Sequence, residues 1–190
     1  SAVANHWEYQ PGTAPAFRVL WDQVNDQRFL AYALQVVGDD NTVYLKKPMS
    51  SSELGQSIRS AEAFLNRMEA YALSGEEGLA LTELNAFRKT RVIGYTDVNL
   101  SGQALLDEIR LERRKELCFE GHRWFDLRRQ GMPEIKHTYK AEKGGAVYEY
   151  VLQQGDPMYT LPFPNSVVLQ NRALVQNPSR EMGARQGEIQ

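Results

Sequence analysis

The stretch from Leu105 to Gly131 constrains the fold of this chain more than any other. It reads LLDEIRLERRKELCFEGHRWFDLRRQG, so charged residues alternate closely with apolar and aromatic ones. A helix with this much charge is well solvated, yet Leu117, Trp124 and Phe125 need burial. Some of the neighbouring charges must be buried with them and must find partners there. The stretch therefore predicts helices that pack through buried ion pairs.

One of these charged residues occupies a position that a helix would turn towards the core. The apolar stripe that includes Ile109 continues onto Arg113 and then Leu117, so Arg113 is expected inside. Glu116 is close enough in sequence to pair with it. A buried pair of arginine and carboxylate fixes how helices cross without adding much net stability. We interpret both residues as architecture.

The segment that follows belongs to the same structural motif. The motif residues predicted there are Glu120, His122, Trp124, Asp126 and Arg128. An alternative is a metal site, because His122 and Asp126 are four residues apart and share one face of a helix. A third ligand at helical spacing is missing, so the sequence predicts no metal.

A glycosidase that uses Glu120 and Asp126 is a further alternative. Retaining glycosidases hold two carboxyl groups about 5–5.5 Å apart across an open cleft. Two acids beside Trp124 and Phe125 on packed helices would not be reachable by a sugar. The chain is therefore predicted not to be an enzyme, and no cofactor is expected.

The composition excludes several other classes. The 190 residues carry a formal net charge of −2, so charge gives no case for binding nucleic acid or an anionic membrane. The single cysteine excludes an intrachain disulfide. No apolar run approaches transmembrane length, and the sequence shows no signal peptide and no lipidation cysteine.

Helical periodicity predicts two pairs of helices in the middle of the chain. The first pair spans Ile58–Leu73 and Glu76 to about Val92, with Gly75 in the turn. The second pair spans about Gln103–Phe119 and about His122–Gln130. Helices joined by such short turns pack antiparallel, which is the layout of a tetratricopeptide-like hairpin.

Loop-rich segments flank these helices. Short strands are predicted at Thr42–Leu45 and Val147–Val151, a short helix after Asn165, and a polar, fraying tail from Ser179. The fold class is therefore mainly α, with helical hairpins, irregular loop-rich regions and a few short strands. The chain is predicted to be one region, 1–190, with a loop-rich part at 1–52, two helical hairpins at 53–131, and loops, strands and a short helix at 132–190.

Aromatic residues near the N-terminus are the candidate ligand contacts. Trp7, Tyr9 and Trp21 lie in or beside predicted loops, next to polar residues. An exposed ring stacks on the C–H face of a sugar while polar neighbours meet its hydroxyls. The same rings are equally well explained as a cover over the core. Tyr148, Tyr150 and Tyr159 make a weaker version of the same case.

Four patches of the sequence resemble one known family, the SusD/RagB outer-membrane nutrient-binding lipoproteins of the Bacteroidetes. The stretch Leu105–Gly131 resembles the family's C-terminal signature, and Ile58–Ala72 (IRSAEAFLNRMEAYA) resembles its AEAYLNRAEAYA helix. Leu84–Arg88 (LNAFR) resembles its LNALR element. Leu161–Ser166, followed by Asn171 and by Gln176-Asn177-Pro178, resembles its closing LPIPxSE…NPxLxQNP pattern. Asp26-Gln27-Arg28 stands in the place of a common D-x-R.

This resemblance to the C-terminal portion of the family implies a function. It implies a glycan- or nutrient-binding subunit of a polysaccharide-utilisation system, which captures an oligosaccharide and passes it to a TonB-dependent, SusC-like transporter. It also implies a surface-exposed lipoprotein of the cell outer membrane, whose lipid anchor is not in this chain. The matched motifs are scaffold, so they assign no ligand contact. The alternative function is a tetratricopeptide-type adaptor that binds peptides.

Overall fold

The computed structural model describes residues 17, 19–34, 44–45, 59–140, 145–181 and 186–189. The backbone divides into two compact units, one up to His122 and one from Arg123 onwards. The described part is mainly helical with a few short strands, which confirms the predicted fold class. No helix of the described residues has the length and apolar character needed to cross a membrane.

The N-terminal unit begins with small elements. Helix α1 spans Gln27–Tyr32 and continues into strand β1, Ala33–Leu34, which pairs antiparallel with β2, Tyr44–Leu45. The longer helices follow: α2 spans Ser60–Leu73 and α3 spans Glu77–Lys89. Helix α4 spans Gly102–Glu116.

Helices α2 and α3 form the predicted hairpin. Gly75 lies between them with a φ of +87°, a left-handed conformation that favours glycine. The Glu76 amide donates to the Tyr71 carbonyl and closes the end of α2. Helix α4 packs against both helices of the hairpin. The second predicted hairpin, which would pair α4 with the next helix, stays a prediction.

The core of this three-helix layer is made of apolar residues from each of the three helices. The fully buried ones are Leu65, Met68, Ala80, Leu84, Leu105 and Ile109. Burying a side chain of leucine size contributes about 1.5–3 kcal/mol. Ala61 and Ala80 are buried in the same cluster, and their small side chains lie where the helices approach each other. Packing of one apolar stripe per helix therefore holds this layer together.

A second cluster anchors the segment before α1. Trp21, Phe29 and Cys118 are buried together, and Phe17 packs edge-on to Trp21 at 6.2 Å between ring centroids. Phe119 lies 6.1 Å from Phe17 and has a φ of +64°, which is costly for a residue with a Cβ. The strained turn after α4 places Cys118 and Phe119 in this cluster.

The C-terminal unit combines a short helix with a sheet. Helix α5, His122–Arg129, leads into strand β3, Ile135–Lys140, which pairs antiparallel with β4, Val147–Leu152. Strand β5, Glu188–Ile189, adds to the other edge of β4. Between β4 and β5 lie a 3-10 helix at Pro157–Tyr159, helix α6 at Asn165–Gln170 and a 3-10 helix at Pro178–Glu181.

Tyr159 holds the start of this unit together. Its side chain is 1% exposed and stacks on Trp124 at 4.9 Å between ring centroids. Its hydroxyl donates to the carbonyl of Pro133, so it fixes the turn that ends α5. Burial raises the pKa of the Tyr159 hydroxyl, and Asp156 adds to the shift while Arg123 opposes it. Tyr159 is therefore a core residue of the unit and not an exposed ring.

Two details differ from the sequence prediction. Strand β3 was not predicted, and the tail does not fray throughout, because Pro178–Glu181 forms a 3-10 helix and Glu188–Ile189 pairs with β4. The backbone of Tyr148 and Glu149 supplies the hydrogen-bonding edge that a polar tail can join.

Candidate functional site

The charged residues of α4 form the centre of a buried network. Glu112 is fully buried, and Arg28 Nη2 and Arg88 Nε each lie 2.7 Å from one of its two carboxylate oxygens. Lys115 Nζ lies 3.3 Å from Glu112 Oε2. Burial by itself raises the pKa of Glu112, but Arg28, Lys115 and Arg88 outweigh it and lower that pKa to about 2. Glu112 is therefore a carboxylate held ionised inside the protein.

Glu116, one turn further along α4, contacts arginines from three other parts of the chain. Arg28 Nη1 lies 3.0 Å from its Oε2, Arg59 Nη1 3.1 Å from its Oε1, and Arg91 Nε 3.1 Å from its Oε2. Burial opposes ionisation, but hydrogen bonds and charge from Arg91 and Arg28 lower the pKa of Glu116. This carboxylate ties α4 to helix α1 and to the segments before α2 and after α3.

Arg28 is the residue that joins the two carboxylates. It is 6% exposed, and it also donates from Nε and Nη2 to both oxygens of Asp26, at 3.0 and 2.8 Å. Its pKa is raised, because the hydrogen bonds and charges of Asp26 and Glu112 outweigh the effect of burial. The short Asp26-Gln27-Arg28 motif thus supplies both a cation for α4 and the anion that orients it.

Arg59 closes the network at the end of α4. It donates from Nε and Nη2 to the two oxygens of Glu120, at 3.0 and 2.8 Å, and from Nη2 to the Glu116 carbonyl at 2.9 Å. A cation at a helix C-terminus satisfies a carbonyl that has no partner within the helix. Burial lowers the pKa of Arg59, but the contacts with Glu120 and Glu116 outweigh it and raise that pKa.

Arg113 is buried, as the stripe predicted, and it contacts the first helix of the hairpin. Its Nη1 donates to Asn66 Oδ1 at 2.7 Å, and its Nη2 lies 3.7 Å from Glu62 Oε1. His122 Nδ1 lies 3.8 Å from the same Glu62 oxygen. Glu116 contacts three arginines from other parts of the chain, as described above. Its predicted pairing with Arg113 stays a prediction.

The remaining motif residues lie in the C-terminal unit. Asp126 is 5% exposed and accepts from Arg129 Nε at 3.0 Å. Trp124 stacks on Tyr159, whereas Arg128 is exposed. Among the described residues, no group of three or more histidine, cysteine or acidic side chains is placed to hold a metal ion. The motif acids are bound by arginines, so they are not presented as a pair of free catalytic carboxyl groups.

The three aromatic ligand candidates fall in different places. Trp7 and Tyr9 lie outside the described residues, and their role stays a prediction. Trp21 is 5% exposed, packs against Phe29, and has the Arg28 guanidinium 5.4 Å from its ring centroid. Its position agrees with the core-covering interpretation, because neither ring face is open for stacking on a sugar.

Sequence reasoning missed two sets of residues. The first is the rest of the buried network: Arg28, Arg59 and Arg91, which contact Glu116, and the acid Glu112 with its partner Arg88. The sequence features that could have identified them are the D-x-R at 26–28 and the arginines within the helical patches. These residues are far from α4 in the sequence, so no local pattern indicates that they pair with its acids. The second is His137 and Tyr139 on the unpredicted strand β3.

The comparisons with known proteins agree on one family. The chain is similar to the solved structure of a SusD superfamily protein from Bacteroides fragilis, with 27% identity, a TM-score of 0.59 and coverage of 83% of this chain. It has the fold of a SusD-like carbohydrate binding protein from Bacteroides vulgatus, with 22% identity, a TM-score of 0.55 and coverage of 84%. The chain spans 35% and 40% of the length of these two structures. No curated protein matches it.

The model of the SusD family matches residues 39–179, which is well over half of the chain. The match includes the helical hairpin, the acids of α4 and the closing Leu161–Ser166 pattern. The chain therefore belongs to the SusD family.

Proposed function

We propose that this chain is part of a carbohydrate-binding subunit of an outer-membrane uptake system. The subunit captures an oligosaccharide, or another nutrient, and passes it to a TonB-dependent, SusC-like transporter. The observation that carries the proposal is the match to the SusD family over residues 39–179. The Bacteroides vulgatus protein that shares the fold is named a carbohydrate binding protein, which supports the same ligand class.

The proposed mechanism is binding without catalysis. Aromatic rings stack on the C–H faces of sugar rings, polar side chains bond the hydroxyls, and a transporter-coupled lid motion hands the ligand over. The arginine contacts of Glu120 and Asp126 support this reading, since each acid is already engaged by a cation. The subunit is proposed to be a lipoprotein exposed on the cell outer membrane.

The test is titration calorimetry of the 190-residue chain with a panel of oligosaccharides, together with an assay for released reducing sugar. Binding without sugar release is expected. A chain that binds no glycan of the panel contradicts the proposed ligand class, and sugar release contradicts the non-enzymatic mechanism. Co-purification with a SusC-like transporter tests the partner.

Trp7→Ala tests the predicted N-terminal contact. The expected result is weaker glycan binding by a protein whose melting temperature is unchanged. Trp21→Ala is the control, because removal of this buried ring is expected to lower the melting temperature through lost packing. Unchanged affinity in Trp7→Ala removes Trp7 from the site.

A further inference from the structure

The strand register of the C-terminal sheet places four aromatic residues on one face. In the β3–β4 ladder, His137 pairs with Tyr150 and Tyr139 pairs with Tyr148. Directly paired residues of antiparallel strands share a face, and so do residues two apart on one strand. His137, Tyr139, Tyr148 and Tyr150 therefore form one continuous surface, here called the tyrosine face.

The rings of the tyrosine face are accessible. Tyr139 is 56% exposed and His137 is exposed, while Tyr148 and Tyr150 are half-buried. Among the described residues, the hydroxyls of the three tyrosines have no hydrogen-bond partner. Tyr159, in contrast, uses its hydroxyl to fix a backbone turn. The tyrosine face thus combines open ring surface with tyrosine hydroxyls to which no described residue hydrogen-bonds.

Strand β5 supports the face at its other edge. Tyr148 pairs with Ile189 and Glu149 with Glu188, so Gly187 follows opposite Tyr150. A Cβ at Gly187 would lie 2.8 Å from Tyr148 Cβ and 2.8 Å from two ring atoms of Tyr150. The Tyr150 ring therefore lies against the backbone at Gly187, an arrangement in which an aromatic side chain covers a glycine on the neighbouring strand. This contact fixes the ring before any ligand arrives.

Charge is separated between the two faces of the sheet. Lys136 and Glu149 lie on the opposite face, since each alternates with a member of the tyrosine face, and Glu188 pairs with Glu149. Within the described strands, the tyrosine face carries no aspartate, glutamate, lysine or arginine. An uncharged ligand with both apolar C–H surface and hydroxyls matches this face, whereas an acidic or basic one finds no counter-charge there.

We propose that the tyrosine face is a binding surface for an uncharged oligosaccharide. The rings of Tyr139 and Tyr148 stack on the sugar's C–H faces, and the tyrosine hydroxyls and the His137 ring form hydrogen bonds with its hydroxyls. Neighbouring strands lie about 4.8 Å apart, so three strands give a platform about 10 Å wide. The inference rests on the proposed function and specifies one site and one ligand class for it.

The test compares substitutions on the two faces of the same strands. The 190-residue chain is titrated with neutral gluco-, xylo- and manno-hexasaccharides and with an acidic oligogalacturonate. Tyr139→Ala and the double variant Tyr139→Ala, Tyr148→Ala are expected to weaken binding of the preferred neutral sugar about tenfold or more. Tyr139→Phe keeps the ring and is expected to lose only a few-fold. Lys136→Gln and Thr138→Ala, on the opposite face, are expected to bind as the parent chain does.

The possible outcomes separate this inference from the proposed function. If the parent chain binds a neutral sugar and Tyr139→Ala binds it equally well, the tyrosine face is not the site and the proposed function stands. Equal losses in Lys136→Gln, or a preference for oligogalacturonate, also overturn the assignment. If the parent chain binds no glycan, both proposals fail. Tyr139 is mostly exposed, so its alanine variant keeps the test interpretable if the double variant misfolds.

Discussion

Arg28 Nη2 lies 2.7 Å from Glu112 Oε1, and the two side chains are 6% and 0% exposed. The residues are 84 positions apart in the sequence, so their contact joins the segment before the hairpin to the last helix of the layer. Removing both charges from water is costly, and further contacts of Arg28 with Asp26 and Glu116, and of Glu112 with Arg88 and Lys115, offset that cost. The network fixes which helix faces meet, and its stability depends on every member being present.

Glu112→Gln should destabilise the chain strongly. The amide nearly keeps the shape of the carboxylate but leaves Arg28, Arg88 and Lys115 without their shared negative charge. Breaking a buried ion pair from one side costs about 3–5 kcal/mol. Urea unfolding followed by circular dichroism measures the loss.

Glu83→Gln is the matched control. Glu83 pairs with Arg67 at 2.8 Å on the outside of the hairpin, where Arg67 is half exposed. Ion pairs in such positions contribute about 0–1 kcal/mol, so this variant should unfold close to the parent chain. If Glu112→Gln and Glu83→Gln lose the same free energy of unfolding, burial has no special role in the effect.

Acid should destabilise the protein through Glu112. Its pKa falls from the usual value of 4.5 to about 2 in the folded chain. A lowered pKa stabilises the fold above the unfolded value, and that contribution is lost as pH falls from about 4.5 to about 2. The contribution is on the order of 3 kcal/mol, and the lowered pKa of Glu116 adds to the loss in the same direction.

The measurement is the free energy of unfolding between pH 7 and pH 2 for the parent chain and for Glu112→Gln. The variant has no carboxyl group to protonate at this position, so its stability should fall less steeply below pH 4.5. Identical slopes would show that folding does not lower the pKa of Glu112.

Much of the fold follows from local patterns. The helices that became α2, α3 and α4 were predicted to within a few residues, because one apolar stripe per helix forms the buried layer around Leu65, Leu84 and Ile109. Strand β3 escaped prediction because its sequence, IKHTYK, has too few apolar residues to show a buried face. Its order comes from pairing with β4, which a local pattern does not encode.

The network shows the same limit at the level of side chains. The sequence placed Arg113 in the core through helical periodicity and named Glu116 as a residue close enough to pair with it, and both are buried. It did not identify Arg28, Arg59 and Arg91 as partners of Glu116, because those contacts depend on how separate elements pack. Trp21 illustrates the converse: the sequence leaves an exposed ring and a ring that covers the core equally possible, and contacts with Phe29 and Cys118 bury it.

Asn85→Ala should release the loop between α3 and α4. The Asn85 amide donates to the Val98 carbonyl at 3.0 Å, and its oxygen accepts from the Val98 amide at 3.0 Å and from the Tyr95 hydroxyl at 2.8 Å. Alanine leaves backbone groups without these partners, at a cost of about 1–3 kcal/mol. Hydrogen exchange at the Val98 amide should accelerate, and Asn85→Asp, which keeps the acceptor, should show a smaller change at that amide.

Gln176→Ala should loosen the closing segment without unfolding the chain. The Gln176 side chain accepts from the amides of Phe163 and Asn177 at 2.8 Å and donates to the Phe163 carbonyl at 3.0 Å. These bonds are at least partly exposed, so water replaces them and the cost is about 1 kcal/mol. Faster hydrogen exchange at Phe163, with little change in melting temperature, is the expected signature. A large drop in melting temperature would contradict this local role.

Gly187→Ala should disturb the C-terminal sheet. The new methyl group would lie 2.8 Å from the Tyr150 ring and from Tyr148 Cβ, closer than real Cβ atoms come, so the ring must move or the strand must separate. Overpacking of this kind costs about 1–3 kcal/mol. NMR shifts of the Tyr150 ring and the free energy of unfolding report the two effects.

Gly78→Ala is the control, because Gly78 lies in helix α3 and a Cβ there meets nothing within 4 Å. Alanine favours the helix over glycine by up to about 1 kcal/mol, so the same substitution should stabilise the chain there and destabilise it at Gly187.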